Sequence, residues 1–182
     1  DDINGWPGGS QYALIIQKPG SDKLYYVFTV GCAQQQFESG LWYSVVDMNL
    51  AGGLGGVTQK NIIAIHDTLN PGMTACKHAN GRDWWVVFRP YDPNLQNWSN
   101  TFYKYLITPI GIGNFPTQNI GSAFLSNTSR MKFNKHGSRL CTVDAGGIID
   151  IFDFDRCSGI FTNPMNITPV SSAPFPYYWD AE

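Results

Sequence analysis

Short apolar runs, cut every several residues by Gly, Pro, Asn or Asp, fill this sequence from end to end. They are rich in Val, Ile, Tyr, Phe and Trp, the residues that suit a pleated, half-buried surface, and so they predict strands. No stretch of about a dozen residues places its apolar positions at helical spacing. Leu24-Tyr25-Tyr26-Val27-Phe28-Thr29-Val30 lines up with Trp84-Trp85-Val86-Val87-Phe88-Arg89 and, more loosely, with Arg139-Leu140-Cys141-Thr142-Val143. A second run follows each: Leu41 to Asp47, Thr101 to Ile107 and Ile148 to Phe154. The offsets, roughly 45 to 60 residues, are those of propeller blades and arrays.

The repeat predicts an all-β fold, a partial β-propeller of about three four-stranded blades plus the start of a fourth. Residues 1–10 form an N-terminal segment or linker, 11–70 blade one, 71–125 blade two, 126–172 blade three and 173–182 the start of a further blade. Blade one is expected to hold strands at Tyr12 to Gln17, Lys23 to Val30, Leu41 to Asn49 and Val57 to Ile65. Blade two repeats them at Met73 to His78, Asp83 to Arg89, Thr101 to Thr108 and, for the outer strand, near Thr117 to Gly121. Blade three has Arg130 to Phe133, Ser138 to Val143, Gly147 to Phe154 and Asn166 to Val170. A propeller closes with about four to eight blades, because each sheet needs a neighbour on both faces. Three blades and a stub leave two aromatic-rich faces uncovered, so the remaining blades are expected from the same polypeptide or from other chains.

Composition narrows the class further. Charged residues make up 14% of the 182 positions, against roughly 25% in an average soluble domain. With 14% aromatics, 19 Gly and 11 Pro, the profile suits turn-rich sheets and excludes a helical bundle or a disordered tail. A net charge of -2 with no long run of either sign offers no electrostatic footprint for nucleic acid or an anionic membrane. No apolar run approaches the roughly 20 residues of a membrane span. Asp1-Asp2-Ile3-Asn4-Gly5 lacks the basic start and apolar core of a signal peptide, so the chain is either not exported or a mature or trimmed piece. Cys32, Cys76, Cys141 and Cys157 show no CxxC pair and no metal spacing. Two disulfides, in any of three connectivities, and four buried thiols are both open.

Ala13-Leu14-Ile15-Ile16-Gln17-Lys18-Pro19-Gly20, the run Leu24 to Val30, and Tyr43-Ser44-Val45-Val46-Asp47-Met48-Asn49-Leu50 with Gly52-Gly53-Leu54-Gly55 form an ordered set of motifs. Lys77-His78-Ala79-Asn80-Gly81-Arg82-Asp83-Trp84-Trp85-Val86 and Ile151-Phe152-Asp153-Phe154-Asp155 extend it. Together they resemble large secreted proteins of Bacteroidota-type bacteria, which carry a propeller of WD-like repeats and often end in a sorting domain for type IX secretion. The resemblance spans roughly Gln11 to Tyr178 and implies fold and export, hence an extracellular or cell-surface location. It carries over no catalytic residue. Asn134-Lys135-His136-Gly137 stands where the family usually has Ser-Pro-Asp-Gly, a change that keeps the turn through its Gly, and the cysteines are no hallmark of the family.

Individual motifs offer little chemistry. Gly52-Gly53-Leu54-Gly55-Gly56 would suit a phosphate loop, but the strand Val57 to Ile63 follows it where such a loop needs a helix N-terminus. Asp150, Asp153 and Asp155 would have to converge to hold calcium. On one strand Asp153 and Asp155 share a face while Asp150 takes the other, and Asp155-Arg156-Cys157-Ser158-Gly159 reads as a turn. His66, His78 and His136 sit in no zinc or base spacing. Trp42, Trp84 and Trp85 fall in strands, where packing consumes them. Trp98 lies instead in the long polar loop Tyr91 to Asn100, and long loops are disproportionately functional. Asn97-Trp98-Ser99, Asn127-Thr128-Ser129 and Asn166-Ile167-Thr168 match the glycosylation pattern, which predicts little in a bacterial protein.

The sequence therefore reads as a binding or structural module of an exported propeller protein, with no catalytic residue, metal or cofactor named. Tyr91, Asn97 and Trp98 are its candidate contacts with a protein or carbohydrate at a rim loop. The rival reading is part of a propeller enzyme acting on polysaccharide, a glycosidase or lyase. That chemistry needs acids converging from several blades, as in a carboxylate pair about 5 to 10 Å apart.

Overall fold

A computed structural model describes residues 3–5, 11–31, 40–90, 99–123, 129–144 and 147–167. Twelve strands form three four-stranded antiparallel sheets, and no α-helix occurs among the described residues. The first sheet holds β1 (Ala13–Gln17), β2 (Leu24–Gly31), β3 (Gly40–Asp47) and β4 (Gly56–Ile65). The second holds β5 (Leu69–Lys77), β6 (Trp84–Pro90), β7 (Thr101–Thr108) and β8 (Gly111–Asn119). The third holds β9 (Ser129–Phe133), β10 (Arg139–Asp144), β11 (Ile149–Asp155) and β12 (Ile160–Asn166). Within each sheet strands pair in chain order. A three-residue 3₁₀ turn, Ala51–Gly53, stands in the glycine-rich loop, which is a hairpin connection to β4 as its missing helix required.

The sheets stack as blades. Ile16, Tyr26, Phe28 and Val30 of the first meet Met73, Val86, Phe88 and Ile107 of the second. On the reverse face of the second sheet, Trp85, Val87 and Phe102 meet Met131, Leu140, Phe152 and Phe161 of the third. Blade two is thus covered on both sides, which explains why Trp84 to Phe88 is an unbroken apolar run while its odd and even residues enter different cores. Each fully buried ring, such as Trp85 or Phe152, contributes about 2–3 kcal/mol through removal of apolar area from water. Blades one and three keep an outward face. Ile15 is 66% exposed on one and Met165 56% on the other.

Two outer strands differ from the sequence expectation. β8 is Gly111–Asn119 and not Thr117 to Gly121, and β12 is Ile160–Asn166 and not Asn166 to Val170. In both, the preceding turn is tighter than the sequence reading allowed, with Thr108 paired directly to Gly111 and Asp155 to Ile160. Both strands also contain a proline, Pro116 or Pro164, which reads as a break but is tolerated on a sheet edge. β5 begins at Leu69, before the expected Met73, because the ladder jumps from Leu69–Pro90 to Met73–Phe88 and leaves residues 70–72 bulged opposite Arg89. The expected fourth-blade start at 173–182 lies outside the described residues.

Candidate functional site

The fold has two unlike ends. At the turn end, short connections such as 78–83, 109–110 and 156–159 join the strands. The loop end is where β1, β5 and β9 begin and where β2 and β6 run into the connections 32–39 and 91–100. Cross-blade contacts fix this alignment: the Ser129 hydroxyl donates to the Asn70 side chain at 2.7 Å, while at the opposite end the Trp84 indole donates to the carbonyl of Gln17 at 3.0 Å.

Polar side chains are buried under the loop end. Arg89 ends the apolar run of β6 and is only 1% exposed. Its guanidinium stands 4.1 Å over the Phe102 ring and donates to the Ser122 carbonyl at 3.4 Å. Burial pulls its pKa down to about 9, against the upward pull of Asp150 and Asp144, so it keeps its charge at neutral pH. Asp150 accepts from the Ser122 amide at 2.7 Å, the Ser122 hydroxyl at 3.1 Å and the Asn166 amide at 2.8 Å. Asp144 is fully buried at the end of β10. Beside them the Thr142 hydroxyl is buried without a hydrogen-bond partner among the described residues. Nearer blade one, Tyr103 donates to Asp67 at 2.7 Å. Burial first, and then that carboxylate, push the phenol up to about 12.

The bulge in β5 completes the arrangement. Gly72 has φ +148°, and a Cβ there would come within 2.8 Å of the Ser129 carbonyl, so only glycine lets blade two approach blade three this closely. On the blade-one side, the Gln11 side chain receives the Met131 amide at 2.9 Å and donates to the Met131 carbonyl at 3.1 Å.

Sequence reasoning missed this cluster. The available signal was the polar residue closing two aligned apolar runs, Arg89 after Phe88 and Asp144 after Val143. The residues it did nominate, Tyr91, Asn97 and Trp98, lie outside the described residues. The strands they join, β6 and β7, end and begin at the loop end beside Arg89.

The three aspartates separate as their spacing required. Asp150 is buried, whereas Asp153 accepts from Arg139 at 3.0 Å and Asn163 at 2.9 Å. Asp155 closes its turn on the Cys157 amide at 2.8 Å and the Ser158 hydroxyl at 2.7 Å. No group of three or more metal-ligating side chains forms among the described residues. His66 and His136 are exposed, and His78 bridges the Asn80 amide and the Cys157 carbonyl, both at 3.1 Å. Cys76, Cys141 and Cys157 are free thiols, and Cys32 lies outside the described residues. Burial pushes the Cys76 thiol up to about 12 despite nearby Arg156, which keeps it protonated and inert.

No family model matches the sequence, and no curated protein matches it significantly. Among solved structures, the chain is similar to a candidate 6-phosphogluconolactonase from Bacteroides fragilis, with a TM-score of 0.52 and 12% identity. The match covers 87% of this chain and 40% of that one. The likeness shows the fold. The chain is a partial β-propeller. It spans about 40% of the length of the propeller-like structure that it matches. No described helix is long and apolar enough to cross a membrane.

Proposed function

We propose that this chain is the propeller portion of an exported or cell-surface protein, and that it binds a protein or carbohydrate partner through the loops of its loop end. The observation that supports recognition over chemistry is the state of the buried polar groups at the strand ends of the loop end. Asp150 has three hydrogen-bond donors from its own fold, and Arg89 is packed against Phe102. Groups so engaged hold neighbouring blades together; a general acid or base needs an open approach to substrate. Export rests on the family resemblance. Further blades, from the same polypeptide or other chains, would cover Ile15 on blade one and Ile151 and Met165 on blade three.

The matching structure favours a second reading, an enzyme acting on a sugar-derived substrate, with the polysaccharide-cleaving form as the alternative drawn from sequence. Presenting the protein to an oligosaccharide array and to a protein array, beside an assay of lactone hydrolysis, separates the two. Binding that Trp98→Ala abolishes without loss of stability supports the loop-end module. Turnover of lactone or polysaccharide by the purified chain sinks it.

A further inference from the structure

The end opposite the loops has a charge pattern of its own. The hairpin after each inner strand is basic: Lys18 and Lys23 in blade one, Lys77 and Arg82 in blade two, Lys135 and Arg139 in blade three. In a chain of net charge -2 this places cations repeatedly beside the propeller axis. Between blades one and two the hairpins border an open cleft of about 430 Å³ whose lining includes Gln17, Lys18, Asp22, Lys77 and Arg82. That volume falls within the roughly 300–1,000 Å³ of small-molecule sites.

The cleft is rigid. Trp84, tied to the Gln17 carbonyl at 3.0 Å, supports the Lys77 ammonium 3.9 Å above its ring. Lys77 also donates to the Arg82 carbonyl at 3.3 Å, and an ammonium has three donors, so two remain for a ligand. Arg82 commits Nε and one Nη2 hydrogen to Asp83, at 2.7 and 3.1 Å, and keeps its other donors. The blade-one wall is fixed by the Ser21 hydroxyl, which accepts from the Lys23 and Leu24 amides at 3.2 and 3.1 Å. Among the described residues no ion pair holds Lys18 or Lys77. Lys18, Lys77 and Arg82 thus line the cleft with one carboxylate, Asp22, while Asp83 offsets the charge of Arg82, so the two lysines supply the net positive charge.

We propose that this cleft binds a phosphate or sulfate ester on a ligand about the size of a monosaccharide. Fixed ammonium and guanidinium donors around one small volume suit a multiply charged oxyanion better than a neutral sugar, since each charge-assisted bond is stronger and more directional. The site is distinct from the loop end and stands or falls independently of the reading given above for it.

Calorimetric titration of the full chain with a hexose 6-phosphate, a hexose 6-sulfate and the free hexose tests it. Binding of one or both esters, weakening as salt is raised, is the expected result, and their relative affinities tell phosphate from sulfate. Lys18→Gln and Lys77→Gln should each cost at least about tenfold in affinity, with Lys77→Arg restoring much of it. Lys18 is a turn residue, so its variant keeps the test valid should Lys77→Gln lose stability. Equal binding of the free hexose, no binding of either ester at millimolar concentration, or affinity unchanged in Lys18→Gln overturns the proposal.

Discussion

Gln11 and Met131, 120 residues apart, are joined as if they were neighbouring strands: the glutamine amide meets both backbone groups of the methionine, at 2.9 and 3.1 Å. Met131 lies on β9, whose other edge pairs with β10, so the side chain satisfies backbone that would otherwise stand open at the axis. Gln118 repeats the device at the opposite margin of the same sheet. It donates to the Phe161 carbonyl at 2.6 Å and accepts from the Phe161 amide at 3.0 Å. Blade three is therefore held at its inner edge from blade one and at its outer edge from blade two.

Gln11→Ala and Gln118→Ala should each destabilise the fold by about 1–3 kcal/mol, because each leaves a backbone donor and acceptor short of a partner. Urea denaturation reads the loss. Hydrogen exchange should quicken at Met131 in the first variant and at Phe161 in the second, whereas the reverse assignment would contradict the clips.

Arg89 and Asp150 should behave as a coupled pair. Arg89→Met leaves buried carboxylates without their cation and should cost about 3–5 kcal/mol, and Asp150→Asn should also destabilise. The double variant should lose less than the two single losses together, and a double-mutant cycle in denaturant measures that coupling. Strict additivity would mean that the charges do not interact.

Alkaline pH should loosen the interface between blades two and three through Cys76. Its folded-state pKa is raised from 9.0 to about 12, so the folded chain holds the proton longer than the unfolded chain. Its contribution is complete below pH 9 and is lost as pH rises toward 12. Tyr103, raised from 10.0 to about 12, acts in the same direction. Lys104, whose pKa burial lowers, opposes them, gaining stability as pH rises through its folded value. Cys76→Ala should flatten the decline in melting temperature above pH 9. At pH 8, a bulky thiol reagent should label exposed Cys157 well before buried Cys76.

Gly159 should not tolerate a side chain. It has φ +69°, and a Cβ would come within 2.5 Å of the Trp85 ring. Gly159→Ala should cost at least about 2 kcal/mol by overpacking and left-handed strain together. A melting temperature equal to that of the parent would show that Trp85 can move.

The blades were legible because their strands are two-sided: Trp84 to Phe88 and Leu24 to Val30 leave little room for another period. The outer strands of blades two and three were not; β8, for one, carries Gly113, Asn114 and Pro116 and owes its conformation to pairing with β7, so tertiary context overrode its weak propensity. The buried polar cluster was hidden for a different reason. Arg89, Ser122, Asp150 and Asn166 come from four separate stretches of sequence; strand pairing sets Asp150 opposite Asn166, and the stacking of blades two and three brings Arg89 and Ser122 to them. The basic cleft is similarly dispersed, since its cations lie in hairpins about 60 residues apart, within the propeller repeat.

Every ladder among the described residues joins strands that are consecutive in sequence, with no crossover. A single sheet can therefore be copied, added or removed at the β4–β5 or β8–β9 connection without rethreading the rest. Such a chain grows by whole units, and the clips formed by Gln11 and Gln118 are what a newly gained unit would have to acquire before its margins were secure.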